Sequence, residues 1–211
     1  MTMANFPHVR FGFSVEAKAL TRSLVEQVHG KEVVEIKGRS HRESLIQHPV
    51  KADGLFTQER EIELHVFSAD CLPLLFFSSH EKGPIAAIHC GWRGALNGIP
   101  SHTLQRLKDV PGEIHVLFGP CIMGCCFEVR DDFVHSFEES GKSIGAYLER
   151  SRGRMFFDLP RYVREQELGE IPEERVHWEE NRCTYCTAPP LPSYRRNGGT
   201  DPRIRAWIKK A

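Results

Sequence analysis

Apolar positions fall into two rhythms along the 211 residues. In IELHVFS (62–68) they alternate with polar ones, the period of a strand with one face in a core; past a break at ADCLP (69–73) they become continuous, as in a strand covered on both faces. PIAAIHC (84–90) and EIHVLFGP (113–120) repeat the continuous rhythm, the second ending at a Gly-Pro turn. VRFGFS (9–14), KEVVEIKG (31–38) and the short MFFDLP (155–160) also have strand character, and VHWEE (176–180) and RIRAWIKK (203–210) suit edge strands. Helical spacing predicts one helix over 93–109, starting directly after a strand and running through an internal Gly and Pro, and others over 129–141 and 161–169. Residues 15–27 are polar and weakly helical, and 40–54 reads as loop. Strands and helices that do not strictly alternate predict an α+β sandwich of mixed sheets over a doubly wound parallel sheet. With no repeat, low-complexity tract or linker, residues 1–211 are expected to form a single domain.

Composition narrows the function classes. Lys plus Arg and Asp plus Glu both number 28, so no net field draws the chain to nucleic acid or to an anionic membrane. The first fourteen residues lack a basic stretch followed by an apolar block, and CLPLLFF (71–77) is too short to span a bilayer. These features predict a cytoplasmic protein. Seven cysteines, an odd number without a regular framework, point to reduced thiols that are free to bind metal or react.

Three donors stand at comparable places beside small residues and turns: His29 in EQVHGKEV, Cys71 in SADCLPL and His89 in AAIHCGW. Their separations are far too wide for a zinc finger, whose ligands come in close pairs. Three ligands delivered by different strands suit a catalytic site instead, with the fourth tetrahedral position open. Each residue type also has a purely structural use, His beside Gly in a turn and Cys as a small hydrophobe. CTYC (183–186) together with Cys121, Cys125 and Cys126 offers either a four-cysteine structural zinc site or a set of buried thiols. GWRG (91–94) opens a predicted helix whose free N–H groups favour an anion within reach of Arg93, although Trp92 equally suits a core and Arg93 a surface turn. Arg195 and Arg196 in SYRR (193–196) form a second cationic cluster beside an aromatic, or a solvated basic turn.

Taken together, QVHG (27–30), ADGLFT (52–57), SADCLPLLF (68–76), AAIHCGWRG (86–94), FGPCI with CCFEV (118–129), RCT (182–184) and SYRRNGGT (193–200) resemble, in order, the laccase-domain or YfiH-like family, also called the polyphenol oxidase family and associated with purine nucleoside phosphorylase activity. The resemblance implies an α/β/β/α sandwich and a zinc held by His29, Cys71 and His89, with copper as the alternative metal. It also implies phosphorolysis of adenosine, inosine and guanosine, with methylthioadenosine phosphorolysis and adenosine deamination as companion activities. Peptidoglycan editing and copper-dependent phenol oxidation are also attributed to the family. Against the family pattern, the segment before QVHG is short, which would leave the ligand less enclosed, and TDPR (200–203) leaves Arg203 only an approximate match to the usual Thr-Gly-Arg.

On this reading Cys71, His29, His89 and Arg93 carry catalysis, while Arg93, Arg195 and Arg196 bind substrate or phosphate. Asp53 and Asp70 are expected to accept the outer N–H of a ligating imidazole, or to satisfy turn amides. The expected partners are a small nucleoside and phosphate, not nucleic acid or membrane, and the expected state is a monomer or small homo-oligomer. Three rivals stay open. Cys71 and His89 can form a cysteine hydrolase pair; a copper oxidase would need many more clustered His ligands; and the site can survive as a noncatalytic binding scaffold. The paired H-x-E and P-C-x-x-C pattern of zinc nucleobase deaminases is not found.

Overall fold

The continuous apolar run after Cys71 becomes the strand Leu72–Ser78, buried at every position, and the molecule is organised around it. A computed structural model describes residues 6–17, 23–178, 182–199 and 202–211. Leu72–Ser78 pairs antiparallel with Ile85–Cys90 on one side and Ile114–Phe118 on the other. The six-stranded sheet is completed outward by Val176–Trp178 beside Ile114–Phe118, and by Gly54–Thr57 and then Val33–Glu35 beyond Ile85–Cys90. Both outermost pairs are parallel, so the sheet is mixed.

A strand side chain alternates faces, and this sheet has a core on each. Leu75, Phe77, Ala87 and Leu117 face a three-stranded antiparallel sheet made of Val9–Glu16, Arg203–Lys210 and Glu63–Ser68, which contributes Leu64, Val66, Ala206 and Ile208. Leu74, Phe76, Ile88 and Val116 face the other way, onto Ile99 and Leu104 of the helix Ile99–Arg106, Phe133 and Phe137 of the helix Asp131–Glu139, and Tyr162 of the turn Leu159–Tyr162. Phe76 and Phe77 are fully buried on opposite faces; truncating either to alanine is expected to cost about 3–5 kcal/mol. The mixed-sheet sandwich therefore agrees with the sequence reading. The helix Arg39–Gln47 adds little to this packing, burying only Leu45, which joins the core between the two sheets. Among the described residues no helix is long and apolar enough to cross a membrane.

Several elements differ from expectation. The predicted helix over 93–109 is two helices, Trp92–Leu96 and Ile99–Arg106. They part at Gly98, whose φ of 78° ends the first, while Pro100, which needs no N–H partner, sits in the first turn of the second. The stretch 40–54 is not loop: it holds most of the helix Arg39–Gln47 and the strand Val50–Lys51, and it ends where Gly54–Thr57 begins. One buried leucine leaves almost no apolar stripe to read, because its neighbour Ile46 is exposed. Val15 and Glu16 continue the first strand opposite Ile204 and Arg203 instead of starting a helix, and Val25–Glu26 is a strand paired with Val50–Lys51; residues 18–22 lie outside the described set. Arg203–Lys210 is the centre of its sheet, not an edge. Its alternating burial through Ile204, Ala206, Ile208 and Lys210 is what a strand paired on both sides but covered on one face requires. Val176–Trp178 is an edge strand as expected, residues 179 and 180 lying outside the described set.

Candidate functional site

Register along the large sheet decides which chemistry meets. Leu72 lies opposite Cys90 and Pro73 opposite His89, so Cys71, His89 and Gly91 gather at one end of two adjacent strands. Asp53 precedes the next strand, and its carbonyl accepts the His89 N–H at 2.7 Å. The Asp53 side chain, fully buried, organises the rest. Its Oδ1 accepts from the His29 N–H at 2.9 Å, and its Oδ2 from Val28 N–H at 3.1 Å and Gly30 N–H at 2.7 Å. This grip holds the turn in which His29 takes a left-handed φ of 62°.

The same carboxylate lies 2.8 Å from His89 Nδ1. An ionised carboxylate only accepts, so Nδ1 carries the proton and the Nε2 lone pair is left for a ligand. The two imidazoles stand nearly perpendicular with centroids 4.8 Å apart, and one donor atom from each of His29, Cys71 and His89 lies within 4.8 Å of the others. Gly91 makes this approach possible, since a Cβ there would fall 2.9 Å from both Cys71 Sγ and His29 Cδ2. Two imidazole nitrogens and a sulfur, one imidazole oriented by a buried carboxylate, fit a zinc or similar borderline metal with one position left open.

Charge in the metal-free pair is set by opposing effects. Burial by itself would push the Cys71 thiol up, but the His89 charge and hydrogen bonds from both imidazoles bring it down to about 6. Burial would push His89 down, but the Cys71 thiolate and Asp53 raise it to about 9. Burial would also raise Asp53, and the His89 contact together with the N–H donors of Gly30 and His29 holds it below the usual carboxylate range.

The three donors line a cavity of about 930 Å³. Phe67, Trp92, Phe127 and Tyr194 give it aromatic walls, and Arg93, Arg195 and Arg203 bring cations to it. Arg93 is exposed and stacks on Trp92 at 4.2 Å. Arg195 lies over Phe127 at 5.4 Å and donates to the Glu128 carbonyl at 2.7 Å. Arg203 donates to the Gly199 carbonyl at 2.8 Å. Arg196 is placed differently: its guanidinium donates to the carbonyls of Thr184, Tyr185 and Leu191, and it is not among the residues that line the cavity.

Of its two expected roles, Asp70 takes the second: it bonds a backbone amide and, among the described residues, no imidazole. With φ 83° it turns away from the imidazoles and accepts from Thr184 Oγ1 at 2.7 Å, Ser193 Oγ at 3.0 Å and Arg195 N–H at 2.8 Å. It ties distant loops to the cavity rim, a role that follows from its left-handed turn. Gln27 escaped the sequence reading too, although its amide both donates to the Phe67 carbonyl and accepts from the Phe67 N–H, fixing the strand entry beside Cys71. Its place two residues before His29 in QVHG was the available signal. Gly91 was readable in the same way, as a glycine next to two reactive side chains.

A second group lies apart from these donors. Sulfurs of Cys125, Cys126, Cys183 and Cys186 lie within 4.8 Å of one another. Cys121 does not join them: it is buried, and burial pushes its thiol well up.

A 31% identical relative, the purine nucleoside phosphorylase of Aquifex aeolicus, aligns over 93% of both chains. Purine nucleoside phosphorylase YlmD of Geobacillus stearothermophilus is 34% identical over 87% of this chain and 70% of its own, and YfiH of Escherichia coli 30% over 87% and 72%. The crystal structure of Geobacillus YlmD superposes with a TM-score of 0.81 at 25% identity, covering 98% of this chain and 93% of that one. The family model described as multi-copper polyphenol oxidoreductase laccase matches residues 5–210, and by this match and these identities the chain belongs to that family, whose members include YlmD and YfiH.

Proposed function

We propose that the chain is a zinc-dependent purine nucleoside phosphorylase. The observation that carries the reading is the convergence of His29, Cys71 and His89 at a cavity with aromatic walls and cationic side chains. His29, Cys71 and His89 would hold the zinc, which when bound would supply Lewis acidity to the substrate. Phe67, Phe127 and Tyr194 offer flat apolar surfaces to a purine. Arg93, Arg195 and Arg203 offer the charge that a phosphate needs, Arg93 and Arg195 from exposed positions and Arg203 half-buried. Phosphorolysis joins a phosphate oxygen to ribose C1′ as the bond from C1′ to the base nitrogen breaks; the electron pair leaves with the base, which takes up a proton. Both oxygens of Asp70 are engaged by loop donors, so its role is to hold Arg195 and the rim in place.

Relatives named purine nucleoside phosphorylase support the same activity. Adenosine, inosine, guanosine and methylthioadenosine are the proposed substrates, with adenosine deamination a companion reaction. Oxidation at several coppers is less well served, because the two ligand clusters among the described residues contain only two imidazoles between them. The low Cys71 pKa beside His89 favours one second reading, a cysteine hydrolase.

Incubating purified protein with inosine and phosphate is expected to release hypoxanthine and ribose 1-phosphate. Activity lost on chelation and restored by zinc supports the phosphorylase. Activity that survives complete zinc removal but is abolished by Cys71 alkylation would replace it with the hydrolase.

A further inference from the structure

We infer that Cys125, Cys126, Cys183 and Cys186 bind one tetrahedral zinc-class divalent cation that fastens two loops into a wall of the cavity. Two local turns present the sulfurs. Phe127 N–H and Cys126 N–H both bond the Met123 carbonyl at 2.9 Å, which folds the first; Thr187 N–H bonds the Cys183 carbonyl at 3.2 Å, which folds the second. The turns meet where Thr184 N–H reaches the Cys121 carbonyl at 2.9 Å.

Distances favour one ion over the alternatives. With Zn–S bonds of about 2.3 Å, the edges of a regular S₄ tetrahedron are about 3.8 Å. Cys125 Sγ and Cys186 Sγ stand 3.8 Å apart, and all four sulfurs lie within 4.8 Å of one another. A disulfide requires an S–S separation of about 2.0 Å. An iron–sulfur cluster, with several metal and sulfide atoms inside the ligand cage, needs thiolates spread more widely than these. Four thiolates around a divalent ion leave net negative charge, and two features answer it: the Met123 N–H points at Cys183 Sγ at 3.5 Å, and the Arg196 guanidinium is anchored on the Thr184 and Tyr185 carbonyls of the second turn. This gives Arg196 a structural place in the molecule. The joined loops carry Thr184, which holds Asp70, and Phe127, which lines the cavity. The inference is independent of the phosphorylase reading.

The test uses the full chain with Cys71→Ala, which removes the cavity site, expressed with zinc and dialysed without chelator. About one zinc per chain is expected by elemental analysis, falling below about a tenth when Cys186→Ser is added. Zinc-free Cys71→Ala protein overturns the inference, whereas one zinc in both wild type and Cys71→Ala would overturn only the cavity site. Should Cys186→Ser misfold, alkylation mapped by peptide mass spectrometry on Cys71→Ala itself decides. Zinc is expected to slow modification of Cys125 and Cys186 about a hundredfold relative to stripped protein. Equal rates, or a Cys125–Cys186 disulfide in reduced preparations, would overturn it.

Discussion

The two ligand clusters are built by opposite rules. His29, Cys71 and His89 are distant in sequence and arrive from separate strand ends, with a buried carboxylate behind one imidazole and a cavity in front. The four cysteines come as two local pairs on turns, with no imidazole among them, and none of the four lines the cavity. Three donors held rigidly leave a coordination position for a reacting molecule, while four soft donors close the sphere and leave only a structural cross-link. If both clusters hold metal as proposed, donor count and support, more than residue type, would separate a reactive centre from a staple.

Experiments can break that contrast, beginning with the largest effect. Cys71→Ala is expected to lower kcat/KM for inosine phosphorolysis about a thousandfold or more, while leaving zinc at the four-cysteine cluster; steady-state kinetics and elemental analysis on one preparation read both. Asp53→Asn turns one of the two acceptor oxygens into an NH2 donor and removes the charge, so the side chain can no longer accept from both His89 and the whole His29 turn. Zinc affinity at the cavity is expected to fall about 10–100-fold by competitive chelator titration, with the cysteine cluster unchanged. Loss at both clusters would mean that Asp53 supports the fold as a whole.

In zinc-stripped protein the thiols should separate by pH. Cys71, brought down to about 6, exists as thiolate above that pH, so its alkylation rate should rise between pH 5 and 7 and then level. Partial burial and neighbouring thiols push Cys125 up to about 11, so its rate should keep rising through pH 9 although it is the more exposed residue. Quantitative mass spectrometry of the two peptides across pH checks this, and coincident profiles would erase the difference. The smallest effect distinguishes two arginines. Arg93→Ala is expected to raise KM for phosphate about tenfold with unchanged zinc content. Arg196→Ala, which loses bonds to three carbonyls, should lower the melting temperature and leave that KM near wild type.

How much of this could be read from the residues varies by element. The runs that became Leu72–Ser78, Ile85–Cys90 and Ile114–Phe118 were plain, because a strand buried on both faces must be apolar throughout. The helix Arg39–Gln47 was hidden because it buries one leucine and draws its position from neighbours. The break at Gly98 was visible as a Gly and a Pro inside a helical pattern, but the pattern alone does not say whether such residues bend a helix or divide it. Among site residues, His29, Cys71 and His89 stood out by chemistry and by their place at strand ends. Asp70 did not reveal its role, since it acts through loops far away in sequence, and Arg196 did not because the nearby carbonyls it bonds are gathered by the folding of its own loop.

The sequence by itself determined which segments are covered on two faces and where imidazole, thiol and guanidinium groups interrupt them, because hydrophobic period and residue chemistry are local properties. Only the tertiary structure decided which of those groups meet. Strand register set Cys71 beside His89, the Asp53 carboxylate drew the His29 turn to the same point, and paired turns gathered four sulfurs elsewhere. Those outcomes depend on contacts between residues well separated along the chain, and no local pattern encodes them.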